Sequence, residues 1–173
     1  MLTIISATNR PNSKTLKVAK HYQQEFADKG VESKIISLEH LPVDVLNTDM
    51  YGKRSEAFKE IQHLISATDK FLFVIPEYNG SYPGVLKVLI DACNFPESFS
   101  NKKAALIGLS SGKYGNVRGV DHFTGVCHYI NLFVLPTRLH IPNIVSELDV
   151  DGKFCKVDTI NFIKDQVERF IKF

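Results

Sequence analysis

Cysteine is scarce: Cys93, Cys127 and Cys155 are the only three in 173 residues, far apart and with no CxxC pair. An odd, scattered set makes a poor disulfide framework and fits a reducing cytoplasm. Charge of one sign is also lacking. Lys and Arg number 21 against 19 Asp and Glu, a net charge of +2, and they are dispersed along the chain. No nucleic-acid or membrane surface is therefore expected. No stretch approaches the roughly 20 apolar residues that cross a bilayer. The opening MLTIISATNR has no basic lead-in before its short apolar run, so it reads as a first strand and not as a signal peptide. The chain contains no GxG, and its nearest P-loop lookalike, GLSSGK at 108–113, is one residue short and is followed by Tyr114 where Ser or Thr is needed. A dinucleotide held in a Rossmann cradle is disfavoured. The six histidines show no HExxH spacing, and none of the cysteines opens a CxxxxxR loop. With no defensible Cys-His or Ser-His pair, any chemistry has to come from a cofactor.

What remains is an ordinary globular composition, 44% apolar and 23% charged, of a length that suits one domain over 1–173. Short apolar, β-branched runs at 2–6, 33–37, 70–75, 104–109 and 132–135 read as strands. Helical stripes fall between and after them: Leu16, Ala19, Tyr22 and Phe26 in 14–29; Phe58, Ile61 and Ile65 in 55–68; Ile160, Ile163, Val167 and Phe170 in 159–171. Segment 83–93 is apolar nearly all round, as a helix covered on more than one side would be. Strands that run on into helices give a parallel sheet covered on both faces, with ligands beyond the carboxyl ends of the strands. The irregular stretch 38–53, with Tyr51 and Gly52, is long enough to help shape a pocket.

Three loops follow strands at that edge. SATNRPNSKT, 6–15, offers the hydroxyls of Thr8, Ser13 and Thr15, the guanidinium of Arg10 and the opening of a helix, a combination suited to a phosphate monoester. Its plainer reading is an N-cap turn. PEYNGSYPG, 76–84, ends a strand at Pro76, turns at Gly80 and opens a helix at Pro83. Glu77 to Ser81 is expected to leave several backbone groups bare for a flat, heteroatom-rich ring, with Tyr78 and Tyr82 flanking it. GLSSGKYGNVRG, 108–119, brings Ser110 and Ser111, with Gly112 and Gly115 allowing close backbone approach. A phosphate end and a planar ring without a dinucleotide fingerprint suggest flavin mononucleotide (FMN).

PEYNGSYPGVLKVLID resembles the PEYN-G-S-x-PG-x-LKN-x-ID signature of the NAD(P)H-dependent FMN reductases, a family that includes quinone, chromate and azo-dye reductases. SATNRPNSKT is similar to that family's S-G-S-x-R-x-x-S-x-N phosphate loop, with Thr8 for a serine and Thr15 for the asparagine, and SSGKYGNVRG resembles its third loop. The motifs keep the family's order across almost the whole chain. The resemblance implies a flavodoxin-like three-layer α/β sandwich with a five-stranded parallel sheet in the order 2-1-3-4-5. It places the FMN phosphate on Thr8, Arg10, Ser13 and Thr15, the ring edge on Pro76, Glu77, Tyr78, Asn79 and Gly80, and its other side on Ser110, Ser111, Gly112 and Gly115. It also implies NADPH or NADH as transient reductant, a small-molecule electron acceptor, and a homodimer or homotetramer. Val88, Ala92 and Asn116 depart from the pattern, standing where the family often has asparagine, tryptophan and a second glycine. A flavodoxin-like electron carrier would share fold and cofactor without nicotinamide activity. Such carriers tend to be strongly acidic, and a pI near 8.4 argues against one.

Overall fold

The computed structural model describes residues 1–51 and 53–173, so Gly52 of the 38–53 stretch lies outside the described residues. Strands β1 (Leu2–Ser6), β2 (Ser33–Ser37), β3 (Lys70–Pro76) and β4 (Lys103–Leu109) pair in parallel in the order β2-β1-β3-β4. The fifth position holds two short pieces. β5 (Phe133–Val134) pairs with the start of β4, and β6 (Leu139–Ile141) pairs with its end. The single strand expected over 132–135 is thus two residues long, because Pro136 has no N–H to continue the ladder, and pairing resumes only at Leu139. The predicted five-position order holds, with a sixth strand completing the edge.

Alternation along each buried strand sorts the core into two layers. Ile5, Phe71, Phe73, Ile75 and Leu106 face α2 (Glu56–Ser66), α3 (Gly84–Ala92) and α4 (Val117–Tyr129), where they meet Phe58, Leu86, Leu89 and Phe123. Ile4, Leu72, Val74, Ala105 and Ile107 face α1 (Lys14–Asp28) and α6 (Val157–Lys172), where they meet Val18, Phe26, Ile163 and Phe170. Helix α4 and the short α5 (Ile144–Glu147) carry no stripe strong enough to be expected from sequence. Several buried polar groups tie the layers together. The Tyr22 hydroxyl donates to Gln166, whose amide nitrogen donates to the Leu106 and Thr137 carbonyls, bolting α1 and α6 to the sheet. At the far edge Lys102 donates to the Ile65 and Ser66 carbonyls, a cation at the negative end of α2.

The described part of the 38–53 stretch before Gly52 contains a 3-10 turn (Leu38–His40) and a π-helical turn (Val45–Asp49). Buried Asp49 accepts from the Ser55 N–H at 2.6 Å, and Arg54 donates to Gln62, to Asn94 and to the carbonyls of Asp49 and Ala92. That guanidinium closes the carboxyl end of α3, beside the fully buried Ala92 where the related pattern often has tryptophan. Among the described residues no helix is long and apolar enough to cross a membrane.

Candidate active site

The order β2-β1-β3 makes the chain leave β1 and β3 in opposite directions along the sheet, which opens a crevice between the loops that follow them. Two hydroxyls bridge that crevice: Thr8 Oγ1 lies 2.6 Å from Tyr78 Oη, and it also accepts the Arg10 N–H at 3.2 Å. Arg10 extends over the Tyr78 ring, 5.8 Å from its centroid. Ser13 is the N-cap of α1, its Oγ accepting from the Leu16 N–H at 3.1 Å, which leaves its own O–H free to donate. The N–H groups of Lys14 and Thr15, the first in the helix, have no acceptor within it. Buried Thr15 makes no side-chain hydrogen bond among the described residues.

The first loop and the opening of α1 bring Arg10 and Lys14 to the cleft, against the one carboxylate of Glu77. No acidic residue occupies the first turn of α1, and among the described residues neither Arg10 nor Lys14 meets a carboxylate. A cation at a helix N-terminus opposes the macrodipole, so Lys14 is badly placed unless an anion sits between it and the free amides. Lys14 carries no motif of its own and was not expected from sequence; only its place in the fold marks it.

The loop after β3 is a tight hairpin. Asn79 and Gly80 both have positive φ, 52° and 75°, as a two-residue type I′ turn requires. Tyr78 and Ser81 exchange backbone hydrogen bonds of 2.9 and 3.0 Å, and Glu77 N–H donates to the Leu109 carbonyl. The expectation of many bare amides is therefore corrected: within 77–81 only the N–H groups of Asn79 and Gly80, at the tip, lack a partner among the described residues. The two tyrosines also part company. Tyr78 turns to the first loop, while half-buried Tyr82 packs edge-on against Phe123 at 5.5 Å.

The third loop closes on itself. Ser110 Oγ donates to the Gly112 carbonyl at 2.8 Å and accepts the Gly115 N–H at 3.0 Å, so this hydroxyl shapes the loop and is not free for a ligand. Segment 139–147 backs it: Ser110 N–H donates to Ile141, and the N–H groups of Asn143 and Ile144 donate to Gly112 and Ser110. Gly115 has φ of 60°, and a Cβ there would lie 2.7 Å from the Ile141 nitrogen.

A cleft of about 160 Å³ joins the three loops, walled by Thr8, Arg10, Ser13 and Thr15, by Pro76, Glu77 and Tyr78, and by Ser110 and Ser111. Asn79, Gly80, Gly112 and Gly115 lie outside its walls. This space is smaller than the roughly 300 Å³ at which sites for drug-sized ligands begin, so it encloses one end of a ligand and leaves the remainder on an open rim. Next to it Asn9, Leu41, Val45, Val85 and Val88 line an apolar groove of about 460 Å³, which puts the 38–53 stretch and Val88 beside the first loop. A larger depression, about 650 Å³ near Ala27 and Lys34, is at the opposite end of the strands, where none of the three loops reaches. Burial pushes the Cys93 and Cys127 thiols up to about 12, and neither supplies a thiolate nucleophile.

The donor set fits a flavin mononucleotide: a monoester phosphate matches two unpaired cations, free hydroxyls and free helix amides, and the open rim leaves room for a planar ring. A family model described as NADPH-dependent FMN reductase matches residues 1–145. A 2-hydroxy-1,4-benzoquinone reductase of Burkholderia is 29% identical over 66% of this chain and 65% of its own length, so the aligned region falls just short of two thirds of that relative. An FMN-dependent NADPH-azoreductase of Staphylococcus aureus is 29% identical over 97% of this chain and 93% of its own. Among solved structures, the flavoenzyme NAD(P)H:(acceptor) oxidoreductase FerB from Paracoccus denitrificans superposes with a TM-score of 0.81 at 23% identity, covering 99% of this chain and 94% of that one. The apo form of the NADH:FMN oxidoreductase EMOB gives 0.82 at 18%, covering 98% and 87%. These likenesses confirm the flavodoxin-like fold, and the family match over residues 1–145 places the chain in the NADPH-dependent FMN reductase family of oxidoreductases.

Proposed function

We propose that this chain reduces a small acceptor such as a quinone, free flavin, chromate, azo or nitro compound at the expense of NADPH or NADH, in a ping-pong sequence. FMN, when bound, would supply the redox chemistry of hydride uptake from the nicotinamide and two-electron transfer to the acceptor. The observation that carries this reading is the convergence of the three loops on one cleft where Arg10 and Lys14 outnumber the single carboxylate of Glu77. Arg10, Lys14 and the first amides of α1 hold and neutralise the phosphate, with the hydroxyls of Thr8, Ser13 and Thr15 as donors. Pro76 to Gly80 and Ser110 to Gly115 hold the ring from two sides, chiefly by backbone. The open rim admits nicotinamide and acceptor in turn, which is why one site serves both. Three unpaired cysteines suit a reducing cytoplasm.

Anaerobic stopped-flow mixing with each nicotinamide tests the reading. The flavin bands should bleach with at least one of them and recover on adding an oxidant from the panel. Steady-state double-reciprocal plots should be parallel. Flavin that neither nicotinamide bleaches would leave an electron carrier as the function, and intersecting lines would remove the ping-pong order.

The protein also pairs with itself through the α3 and α4 face. Phe95 and Tyr129 are 68% and 88% exposed beside an apolar groove of about 540 Å³ that includes Ile90 and Val126, a grouping of apolar surface of the kind that marks interaction sites. Sedimentation equilibrium should give twice the 19.5 kDa chain mass or a multiple of it, and a monomer mass at micromolar concentration would overturn the pairing.

A further inference from the structure

Asn116 is where the chain departs from the family's glycine, and the structure gives the departure a use. Its backbone holds the left-handed conformation a glycine would adopt, φ 62°, so the substitution costs little in geometry. The carboxamide is 1% exposed and fully engaged. Nδ2 donates to the Ile75 carbonyl at 3.0 Å, one residue before the hairpin begins, and Oδ1 accepts the Gly119 N–H at 3.2 Å, capping α4. The junction has no slack. A Cβ on Gly119 would lie 2.2 Å from Asn116 Oδ1 and 2.6 Å from the carbonyl carbon of Ser81, so hairpin, side chain and helix are in direct contact. One buried amide thus spans from the root of the 76–81 hairpin to the end of the 110–116 loop, the two segments assigned above to the two sides of the ring.

We propose that Asn116 is a positioning residue whose carboxamide fixes the spacing between these segments, and with it the geometry of the ring site. The inference rests on the flavin reading for its consequence but not for the clamp itself. In Asn116→Gly the positive φ survives and only the two carboxamide bonds go. In Asn116→Asp the cap oxygen survives, while the donor to Ile75 is replaced by a carboxylate oxygen that faces the Ile75 carbonyl, so a variant with the α4 cap intact is available if the glycine form folds poorly.

Amide hydrogen exchange on the protein without added flavin tests the clamp directly. Exchange at Tyr78 and Ser81 should rise about tenfold or more in both variants, with α1 and α6 unchanged. Titration with FMN and with riboflavin, followed by flavin fluorescence, tests the consequence. Both dissociation constants should rise together by about tenfold, because the ring is common to the two ligands, and the visible circular dichroism of the bound flavin should change. Wild-type exchange at Tyr78 and Ser81 would overturn the clamp. Faster exchange with wild-type affinities and dichroism would overturn the ring-positioning role and leave Asn116 as a helix cap. A wild-type protein that binds neither flavin would refute the flavin reading and with it the ring role, while the exchange data would still decide the clamp.

Discussion

Alanine at Gly108 should lower the melting temperature by about 6 to 12 °C and weaken FMN binding at least tenfold. Gly108 sits on β4 opposite Ile75 and His140, deep in the sheet. A Cβ there would lie 2.3 Å from the Gly115 carbonyl oxygen, 2.9 Å from Val120 Cγ2 and 3.1 Å from His140 Nδ1. The first of these is backbone and cannot rotate away. Either β4 shifts, breaking register with β3, or the third loop lifts off the sheet. Overpacking of this kind costs about 3 kcal/mol, and in a chain of this size each kcal/mol moves the melting point by roughly 2 to 4 °C. The loop is held from behind by the Ile141 carbonyl and the Asn143 and Ile144 N–H groups, so lifting it at Gly115 also disturbs Ser110 and Ser111. Stability and flavin affinity therefore fall together. Thermal melts and FMN titration of Gly108→Ala read both; a variant with wild-type values for each would mean that the loop has room this packing denies.

The contrast between what the sequence discloses here and what it hides follows a physical line. Strands β1 and β3 were legible as short runs rich in β-branched or aromatic residues and buried on both faces, and β2 and β4 as short apolar runs between helix-length segments. Helices α1, α2 and α6 were legible from stripes repeating at helical spacing. The break in the edge strand was not: β5 falls within the expected 132–135, but β6, three residues long beyond Pro136, is too short to raise a periodic signal. Helix α4 was hidden for a related reason: Gly119, Gly125 and His122 dilute its apolar face, and its start depends on Asn116 adopting a left-handed backbone that composition does not announce.

The candidate site divides in the same way. Residue types with a fixed chemical vocation, Arg10 and the hydroxyls before α1, could be read from the chain because a guanidinium and helix amides suit an anion wherever they meet. Engagement could not be read. The Ser110 hydroxyl bonds within its own loop, Tyr82 packs against Phe123, the Tyr78 and Ser81 amides pair across the turn that Asn79 and Gly80 impose, and the Glu77 amide pairs with Leu109, all of them outcomes of three-dimensional pairing. Conversely Lys14 and Asn116 acquire meaning only from position, one against a helix dipole and the other between two strands' loops.

Arg10 to alanine is the variant that should separate the cofactor's phosphate from its ring. Within the protein Arg10 is exposed and contributes one cation-π contact over Tyr78, worth about 0.5 to 1 kcal/mol at such a site, so the fold should survive with a melting point within a few degrees of wild type. Toward a phosphate the same side chain offers charge-assisted donors, each worth about 1.5 to 3 kcal/mol, which corresponds to a ten- to hundredfold rise in the FMN dissociation constant. Riboflavin has no phosphate and should bind both proteins alike. Arg10→Lys keeps the charge but loses the planar fork, and should fall between the two. Salt supplies a second axis: if Arg10 and Lys14 share the anion, raising ionic strength should weaken FMN binding to the wild type more steeply than to Arg10→Ala, because fewer charges remain to be screened. Equal losses for FMN and riboflavin would place Arg10 at the ring, and undiminished FMN occupancy would move the phosphate away from the first loop altogether.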